Sequence, residues 1–377
     1  MLVAQLFDKP FYQVEKQLSR LKKLGVTHVL VSPPQKSHSS HRWWGRYQPV
    51  DFTRVEGPLG NGHDLYRLCE AARNQGMSIV ADTVIHHLSN ESRWVRIRGN
   101  RIISAQYPRF CQNDLRGLHR PGRGRGLPIL DTQSPWVRSE LRNYLRMLYD
   151  IGVRGFRFDS AKHIDPHLFP YLLEVLPPLF NFGELVYQEP EHFPQEYWNS
   201  MKAYDFPMAH SIHRAFSWDG DLGSLLDPKA LWGPHSVSFV NHHDLTRNRR
   251  GFSPFRVANL EDRKIAYAYL LSCGHGVPLV YGPDIRYREV KAAMKFHSQV
   301  LGWSQTPVAA SKTHLVFRRG DSALVGLNKS GRPQEITAEI EPGTYRDLAT
   351  GWESATNHGR LHWVLPPRSA TLLIKVD

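Results

Sequence analysis

Apolar and polar positions alternate along the first ninety residues with two different periods. Short runs rich in β-type residues occur at 2–7, 27–32 and 77–84. After the first and second runs, apolar residues recur at the spacing of one helix face, at Phe11, Val14, Leu18 and Leu21 and at Leu65, Leu68 and Ala72. This alternation predicts parallel strands joined by crossover helices.

The same rhythm returns in the middle of the chain. A helical pattern over 136–151 leads into the apolar runs "GVRGFRFD", "FNFGEL", "AYDFPM", "SVSFVN" and "GVPLVY", and a further helix is predicted over 262–273. Eight strand units in this order predict an α/β fold, a (β/α)8 TIM barrel, over residues 1–302.

Two regions depart from the barrel pattern. Residues 88–135 are loop-like and too long for an ordinary connection, so they predict a small protruding domain after the third strand. From residue 303 to 377 the chain changes to short alternating segments separated by Gly, Pro and Asn. This pattern predicts a C-terminal antiparallel β-sandwich.

The composition is that of a soluble globular protein. Of the 377 residues, 41% are hydrophobic and 22% are charged, and there is no apolar run of a length that would span a membrane. The N-terminal segment lacks the pattern of a secretory leader. Three widely spaced cysteines, Cys69, Cys111 and Cys273, argue against a disulfide framework. We therefore expect a cytoplasmic protein that does not associate with membranes.

The formal net charge is +13, from 48 Lys and Arg against 35 Asp and Glu. The densest basic segment, 116–126, is rich in Gly and Pro and lacks the interleaved aromatics of a single-strand binder. A solvated loop is therefore favoured over a nucleic-acid site. The nucleic-acid alternative predicts a steeply salt-dependent affinity for DNA.

Acidic residues stand where the predicted strands end. Asp82, Asp159 and Glu184 close the third, fourth and fifth strands, and Asp244 follows the seventh. An isolated Asp at such a position is more often a helix cap, but four at matching ends favour a shared site at the barrel mouth. Arg157 lies two residues before Asp159 and so on the same strand face, where it would keep that carboxylate ionised.

Two facing carboxyl groups of unequal proton affinity are what cleavage of a glycosidic bond requires. Aromatic residues supply the other half of such a site: Trp43, Trp44 and Tyr47 follow the second strand at the same mouth. Flat aromatic rings bury the apolar faces of sugars at low entropic cost. The alternative is that the two tryptophans only pack the top of the barrel.

Five segments together, "ADTVIHH", "LPILD", "GFRFDSAKH", "FNFGEL" and "FVNHHD", closely resemble the motifs of the α-amylase family of retaining glycoside hydrolases. The segment "WWGRYQP" is most similar to the animal-type members. The resemblance implies that Asp159 is the nucleophile, Glu184 the general acid and base, and Asp244 the carboxylate that stabilises the transition state. It also implies a set of substrate-binding residues, comprising Trp43, Trp44, Tyr47, Gln48, Asp82, His87, Arg157, Lys162, His163 and His243.

Animal-type members also bind an activating chloride ion, and here the sequence departs from the family. His242 stands where the family has an asparagine, and Leu279 stands where it has an arginine. Because two of the three chloride ligands are replaced, we predict that activity does not depend on chloride.

Calcium is the other ion that the resemblance implies. His86 replaces an asparagine ligand, and imidazole suits calcium poorly; Asp114 and the carbonyl of His163 would remain as ligands. Three alternatives stay open: calcium, a transition metal such as zinc held by His86 and Asp114, or an imidazole hydrogen bond in place of any ion. We favour the absence of calcium and expect no required cofactor.

The predicted function is hydrolysis of α-1,4-glucosidic bonds in starch, glycogen or malto-oligosaccharides with retention of configuration. An α-glucan transglycosylase or phosphorylase would use the same site. A catalytically silent glucan-binding protein is a further alternative, and the replacements at His86 and His242 are what favour it. The oligomeric state is left open.

Overall fold

The computed structural model describes residues 1–92, 127–248 and 251–377. Within these ranges, eight parallel strands close into a barrel, which confirms the predicted fold. The barrel strands are β1 (Val3–Leu6), β2 (His28–Val31), β6 (Ser78–Thr83), β7 (Gly155–Phe158), β8 (Phe180–Gly183), β9 (Lys202–Tyr204), β10 (Ser236–Phe239) and β11 (Val277–Tyr281). They pair around the barrel in the order β1-β11-β10-β9-β8-β7-β6-β2.

The described helices surround the barrel, and local sequence explains where several of them begin and end. Asn61 caps the helix at Gly62–Arg73 in a capping box with Asp64. Pro135 opens the next long helix, and Gly152, with φ 123°, ends it. The helices are α1 (Phe11–Glu15), α2 (Leu18–Lys22), α3 (Gly62–Arg73), α4 (Pro135–Ile151), α5 (Leu168–Leu173), α6 (Phe206–Ala215), α7 (His243–Arg247), α8 (Leu260–Ser272) and α9 (Arg288–Gln299).

A small antiparallel sheet between β2 and α3 is not predicted by the sequence pattern. It consists of β3 (Gln35–Ser37), β4 (Pro49–Gly57) and β5 (Gly60–Asn61), and a 3₁₀ helix at Trp43–Tyr47 connects β3 to β4. The β3–β4 register shifts twice, so the period of two that marks a strand is interrupted. This sheet carries the aromatic segment to the barrel mouth.

The C-terminal region packs two antiparallel sheets against each other. Their facing apolar side chains, among them Val316, Ile336, Trp363 and Leu373, form one buried cluster. The six-stranded sheet contains β12 (Gln305–Ala310), β13 (His314–Arg319), β14 (Ala323–Asn328), β16 (Thr344–Asp347), β17 (Glu353–Ala355) and β19 (Ser369–Lys375), and the other contains β15 (Gln334–Glu339) and β18 (Arg360–Leu365).

Only the two ends of the predicted protruding domain belong to the described residues. Its return segment is tied to the end of β6, because His87 and Ile129 form an antiparallel bridge and the Leu130 amide donates to the His86 carbonyl. Asp114 and the basic segment 116–126 lie outside the described residues. Of the helices that are described, none combines the length and apolarity needed to cross a bilayer.

Candidate active site

A fully buried guanidinium lies at the centre of the barrel mouth, with four carboxylates around it. Nη1 of Arg157 donates to Oδ1 of Asp82 and to Oδ1 of Asp159, both at 2.8 Å. Its Nη2 lies 3.1 Å from Oε2 of Glu184 and 4.0 Å from Oδ2 of Asp244. The contact with Glu184 is an ion pair and not a hydrogen bond, because its angles are unfavourable for hydrogen bonding. The structure thus brings together the four acidic residues that the strand ends predicted.

The strand order explains why these side chains meet. β6, β7 and β8 are neighbours in the barrel, and Asp82 is the register partner of Arg157. Glu184 directly follows β8, and its amide donates to the Phe158 carbonyl at 2.9 Å. Parallel strands that end at one level place their last side chains at one rim.

One cation for four carboxylates leaves an excess of negative charge in a buried place. Burial raises the pKa of Glu184, and Asp159 raises it further, while Arg157 opposes the shift. The pKa of Asp244 is raised well above its ordinary range by burial and then by Glu184. Both carboxyl groups are thus biased toward their protonated forms, which suits one of them to act as an acid.

Hydrogen bonds from β1 hold His243, whose ring contacts the carboxylate of Asp244. Gln5 donates its Nε2–H to Nδ1 of His243 at 2.9 Å and accepts the His243 amide on Oε1 at 3.2 Å. The remaining proton of the neutral ring is therefore on Nε2, which lies 3.0 Å from Oδ2 of Asp244. Burial and the charge of Arg157 hold the pKa of His243 well below its usual value, so the ring stays neutral.

An aromatic wall stands beside the carboxylates. Phe7 stacks on His243 with ring centroids 4.5 Å apart, and Tyr47 stacks on the same imidazole at 5.3 Å. The Tyr47 hydroxyl donates to Oδ2 of Asp82 at 2.8 Å, which fixes its ring. Trp43 meets Phe7 at 5.8 Å, whereas Trp44 packs on His38 at 5.1 Å, away from this wall. The two tryptophans therefore have different surroundings.

The other predicted substrate-binding residues have contacts of their own. His87 is buried and donates from Nε2 to the Tyr47 carbonyl at 2.8 Å, so it supports the segment carrying the aromatic wall. Lys162 donates to the Val186 carbonyl at 3.0 Å, with its ammonium 4.4 Å from the centroid of the Tyr187 ring. Gln48 follows the 3₁₀ helix and is half-buried, and the His163 ring lies 5.9 Å from the His86 ring.

Four residues around this site were missed in the sequence analysis: Gln5, Phe7, Ser160 and Tyr204. Gln5 is a buried polar residue in the otherwise apolar run "VAQL", and that break in the pattern could have indicated a role. Ser160 contacts Asp159 and Glu184. Tyr204 stacks on His242 at 5.1 Å, and its ring lies 5.6 Å from Cζ of Arg157.

Of the residues named for a possible calcium site, His86 and His163 belong to the described residues and Asp114 does not. The His86 ring lies 5.9 Å from the His163 ring, and Nδ1 of His86 lies 3.3 Å from Nδ1 of His87. Imidazole nitrogens suit a hard, oxygen-seeking cation poorly. The described part of the chain has one trio of metal-ligand type within mutual reach, His242, His243 and Asp244, and it belongs to the carboxylate site.

The place that the resemblance assigns to chloride is lined by rings and an aliphatic side chain. His242 is fully buried between Tyr204 and Phe239, and Leu279 is fully buried in the same apolar cluster. Burial, with a contribution from Arg157, holds the pKa of His242 well below its usual value, so the imidazole carries no charge. Neither replaced position therefore carries a permanent positive charge in addition to that of Arg157.

A (β/α)8 barrel with two closely held carboxyl groups at its mouth is the arrangement expected of a retaining glycoside hydrolase. The family model for the α-amylase catalytic domain matches residues 13–112. An α-amylase of Aeromonas hydrophila is 30% identical over 92% of this chain and 88% of its own length. The chain therefore belongs to the α-amylase family.

Solved structures agree on the fold. The α-amylase I of Eisenia fetida, determined in complex with maltohexaose, superposes with a TM-score of 0.84 at 18% identity, covering 100% of this chain and 97% of that one. The α-amylase of Geobacillus thermoleovorans, complexed with acarbose, gives a TM-score of 0.78 at 17% identity and covers 98% of its own length. At these identities the likeness establishes the architecture, including the C-terminal sheets.

The raised pKa of Glu184 predicts the basic limb of the pH profile. The general acid acts only when protonated, so kcat/KM should fall as pH rises through this pKa, at a pH above the usual range of a glutamic acid. Glu184→Gln should lose most activity on glucan but retain bond formation with maltosyl fluoride, whose leaving group needs no proton, and its profile should lack this limb. A basic limb that persists in this variant would contradict the assignment.

Activity should be independent of chloride. We expect kcat/KM to differ by less than about twofold between sodium chloride and sodium gluconate at equal ionic strength, since neither His242 nor Leu279 supplies a fixed cation to hold the anion. The matched comparison is His242→Asn, which restores the asparagine that the α-amylase family has at this position. A large stimulation of the unmodified protein by chloride would contradict the prediction.

Removal of divalent ions should leave the enzyme active. After dialysis against EDTA, we expect kcat and the midpoint of thermal unfolding to stay at the values of the untreated protein, because the described imidazoles are poor calcium ligands. Elemental analysis of the purified protein provides the second measurement. Stoichiometric calcium or zinc, together with loss of activity on chelation, would show that the prediction is wrong.

Proposed function

We propose that the protein hydrolyses α-1,4-glucosidic bonds of starch, glycogen or malto-oligosaccharides with retention of configuration. The observation that carries this proposal is the shared anchoring of two carboxyl groups: Asp159 and Glu184 both contact the Arg157 guanidinium and both contact Ser160. Retaining enzymes need their two carboxyl groups closely spaced, whereas inverting enzymes need room for a water molecule between them.

In the first half of the reaction, Asp159 attacks the anomeric carbon while Glu184 protonates the departing glycosidic oxygen. The raised pKa of Glu184 favours the protonated form that donates this proton, and the contacts of Arg157 hold the attacking carboxylate in place. Among the described residues, Ser160 and Arg157 contact the Glu184 carboxylate through Oε2, which leaves Oε1 to carry the transferred proton.

In the second half, Glu184 takes a proton from water, which attacks the anomeric carbon and releases Asp159. Asp244, held by His243, and the ring of Tyr47 face the sugar that is being transformed. A preorganised set of charges of this kind stabilises the positive charge that develops on the sugar ring.

The cytoplasmic location stays a prediction from the low cysteine content.

Product analysis on maltoheptaose tests the proposal. Hydrolysis should give shorter malto-oligosaccharides whose new reducing ends are first in the α-configuration, as seen by proton NMR before mutarotation. Asp159→Asn should lower kcat by at least about 10⁴-fold, because the loss of one residue of a catalytic unit removes most of the activity of the whole unit. The fold should be retained.

The matched control for this variant is Asp150→Asn, an exposed position on α4 whose carboxylate pairs, among the described residues, with Arg146. We expect it to keep the activity of the unmodified protein. An initial product in the β-configuration, products longer than the substrate, or activity in Asp159→Asn would each contradict the proposed hydrolysis or its nucleophile.

A further inference from the structure

Ser160 has a backbone conformation that non-glycine residues rarely adopt. It follows β7 directly, with φ 50° and ψ 31°, in the left-handed region. Such a conformation costs free energy for a residue with a Cβ and persists only where the surroundings impose it. Here the reversal turns both the amide and the side chain of one residue toward the carboxylate site.

Through this turn Ser160 contacts both reacting carboxyl groups. Its amide donates to Oε2 of Glu184 at 3.0 Å, a contact that any residue except proline could make at this position. Its hydroxyl donates to Oδ2 of Asp159 at 3.0 Å, a contact that depends on the serine side chain. The main-chain bond thus anchors the acid, and the side-chain bond acts on the nucleophile.

The two oxygens of Asp159 are held by unequal donors. Oδ1 accepts from Nη1 of Arg157 at 2.8 Å, and that guanidinium is fully buried and tied to three further carboxylates. Oδ2 accepts from a neutral hydroxyl on a half-buried residue, and a hydroxyl hydrogen rotates freely about its bond. The oxygen that is released more easily for attack is therefore Oδ2.

We propose that Ser160 is a positioning residue that selects Oδ2 of Asp159 as the attacking atom and speeds its release from the glycosyl-enzyme. This inference rests on the proposed retaining hydrolysis. In glycosylation, the Oδ2–C1 bond forms, the bond from C1 to the glycosidic oxygen breaks, and Glu184 gives its proton to that oxygen. In deglycosylation, the oxygen of water bonds to C1, its proton passes to Glu184, and the electron pair of the C1–Oδ2 bond returns to Oδ2.

The hydroxyl acts in opposite directions on these two steps. The hydroxyl stabilises the free carboxylate, whereas the ester oxygen of the intermediate is a poorer acceptor. The hydrogen bond from Ser160 to Oδ2 therefore weakens as Oδ2 attacks and strengthens as Oδ2 departs. Without it, glycosylation should be unchanged or faster, and deglycosylation should be slower by about three- to tenfold. The covalent intermediate should then accumulate.

The experiment is rapid-mixing kinetics with an aryl α-maltotrioside whose nitrophenolate leaves without protonation. The burst of nitrophenolate reports glycosylation, and the steady state reports deglycosylation. For Ser160→Ala we expect kcat and KM to fall together, so that kcat/KM is maintained. The burst should be larger, and quenched samples should contain a glycosylated peptide that includes Asp159.

Ser160→Gly is the matched variant, because it also lacks the hydroxyl but relieves the positive φ. It should show the kinetics of Ser160→Ala with a higher midpoint of thermal unfolding. A fall in kcat/KM equal to the fall in kcat, unchanged deglycosylation, or kinetics that differ between the two variants would overturn the proposal. Failure of the proposed function is distinguishable, since the unmodified protein would then release no nitrophenolate and cleave no maltoheptaose.

Discussion

The site depends on one buried ionic interaction, that of the Arg157 guanidinium with the carboxylates of three neighbouring strand ends and of α7. A charge with no exposed surface is stable only when it is paired, and this one is 2.8 Å from both Asp82 and Asp159. The pairing also works in the other direction, because it fixes the positions of carboxylates that would otherwise repel one another. Positioning and charge stabilisation therefore come from the same contacts, and loss of the guanidinium would affect every carboxylate at once.

The imbalance of charge then separates the roles of chemically similar groups. Asp159 has charged or hydroxyl donors on both oxygens, whereas Glu184 is anchored on Oε2 and is subject to burial and to the field of Asp159, which raise its pKa. One carboxyl group is thus suited to attack and the other to carry a proton. Asp244, whose pKa is raised still more clearly, depends on the neutral His243 for its orientation.

The sequence predicts those features that follow from periodicity and strand ends. The barrel was predicted because apolar runs and helical patterns alternate, and the meeting of Asp82, Asp159 and Glu184 followed because parallel strands end at one rim. Contacts that depend on an unusual main-chain turn or that join distant parts of the chain were not predictable. The left-handed turn at Ser160 has no composition cue, and the bond from Gln5 to His243 joins residues 238 apart in the chain. The β3–β4 sheet was missed because its register shifts hide the strand period.

The replacement at His242 shows how the same guanidinium is accommodated on its other side. The imidazole accepts the Asp244 amide on Nδ1 at 3.3 Å, so its proton is on Nε2, and its ring lies nearly parallel to Tyr204 at 8°. The Tyr204 ring lies 5.6 Å from Cζ of Arg157, and the aliphatic Leu279 belongs to the same apolar cluster as Tyr204, so neither the stacked rings nor Leu279 adds a cation. The carboxylates at the mouth therefore have one fixed positive charge beside them, that of Arg157, and none from the two replaced positions. Arg157 holds the attacking carboxylate of Asp159, whereas burial, which Arg157 opposes, raises the pKa of the proton carrier Glu184.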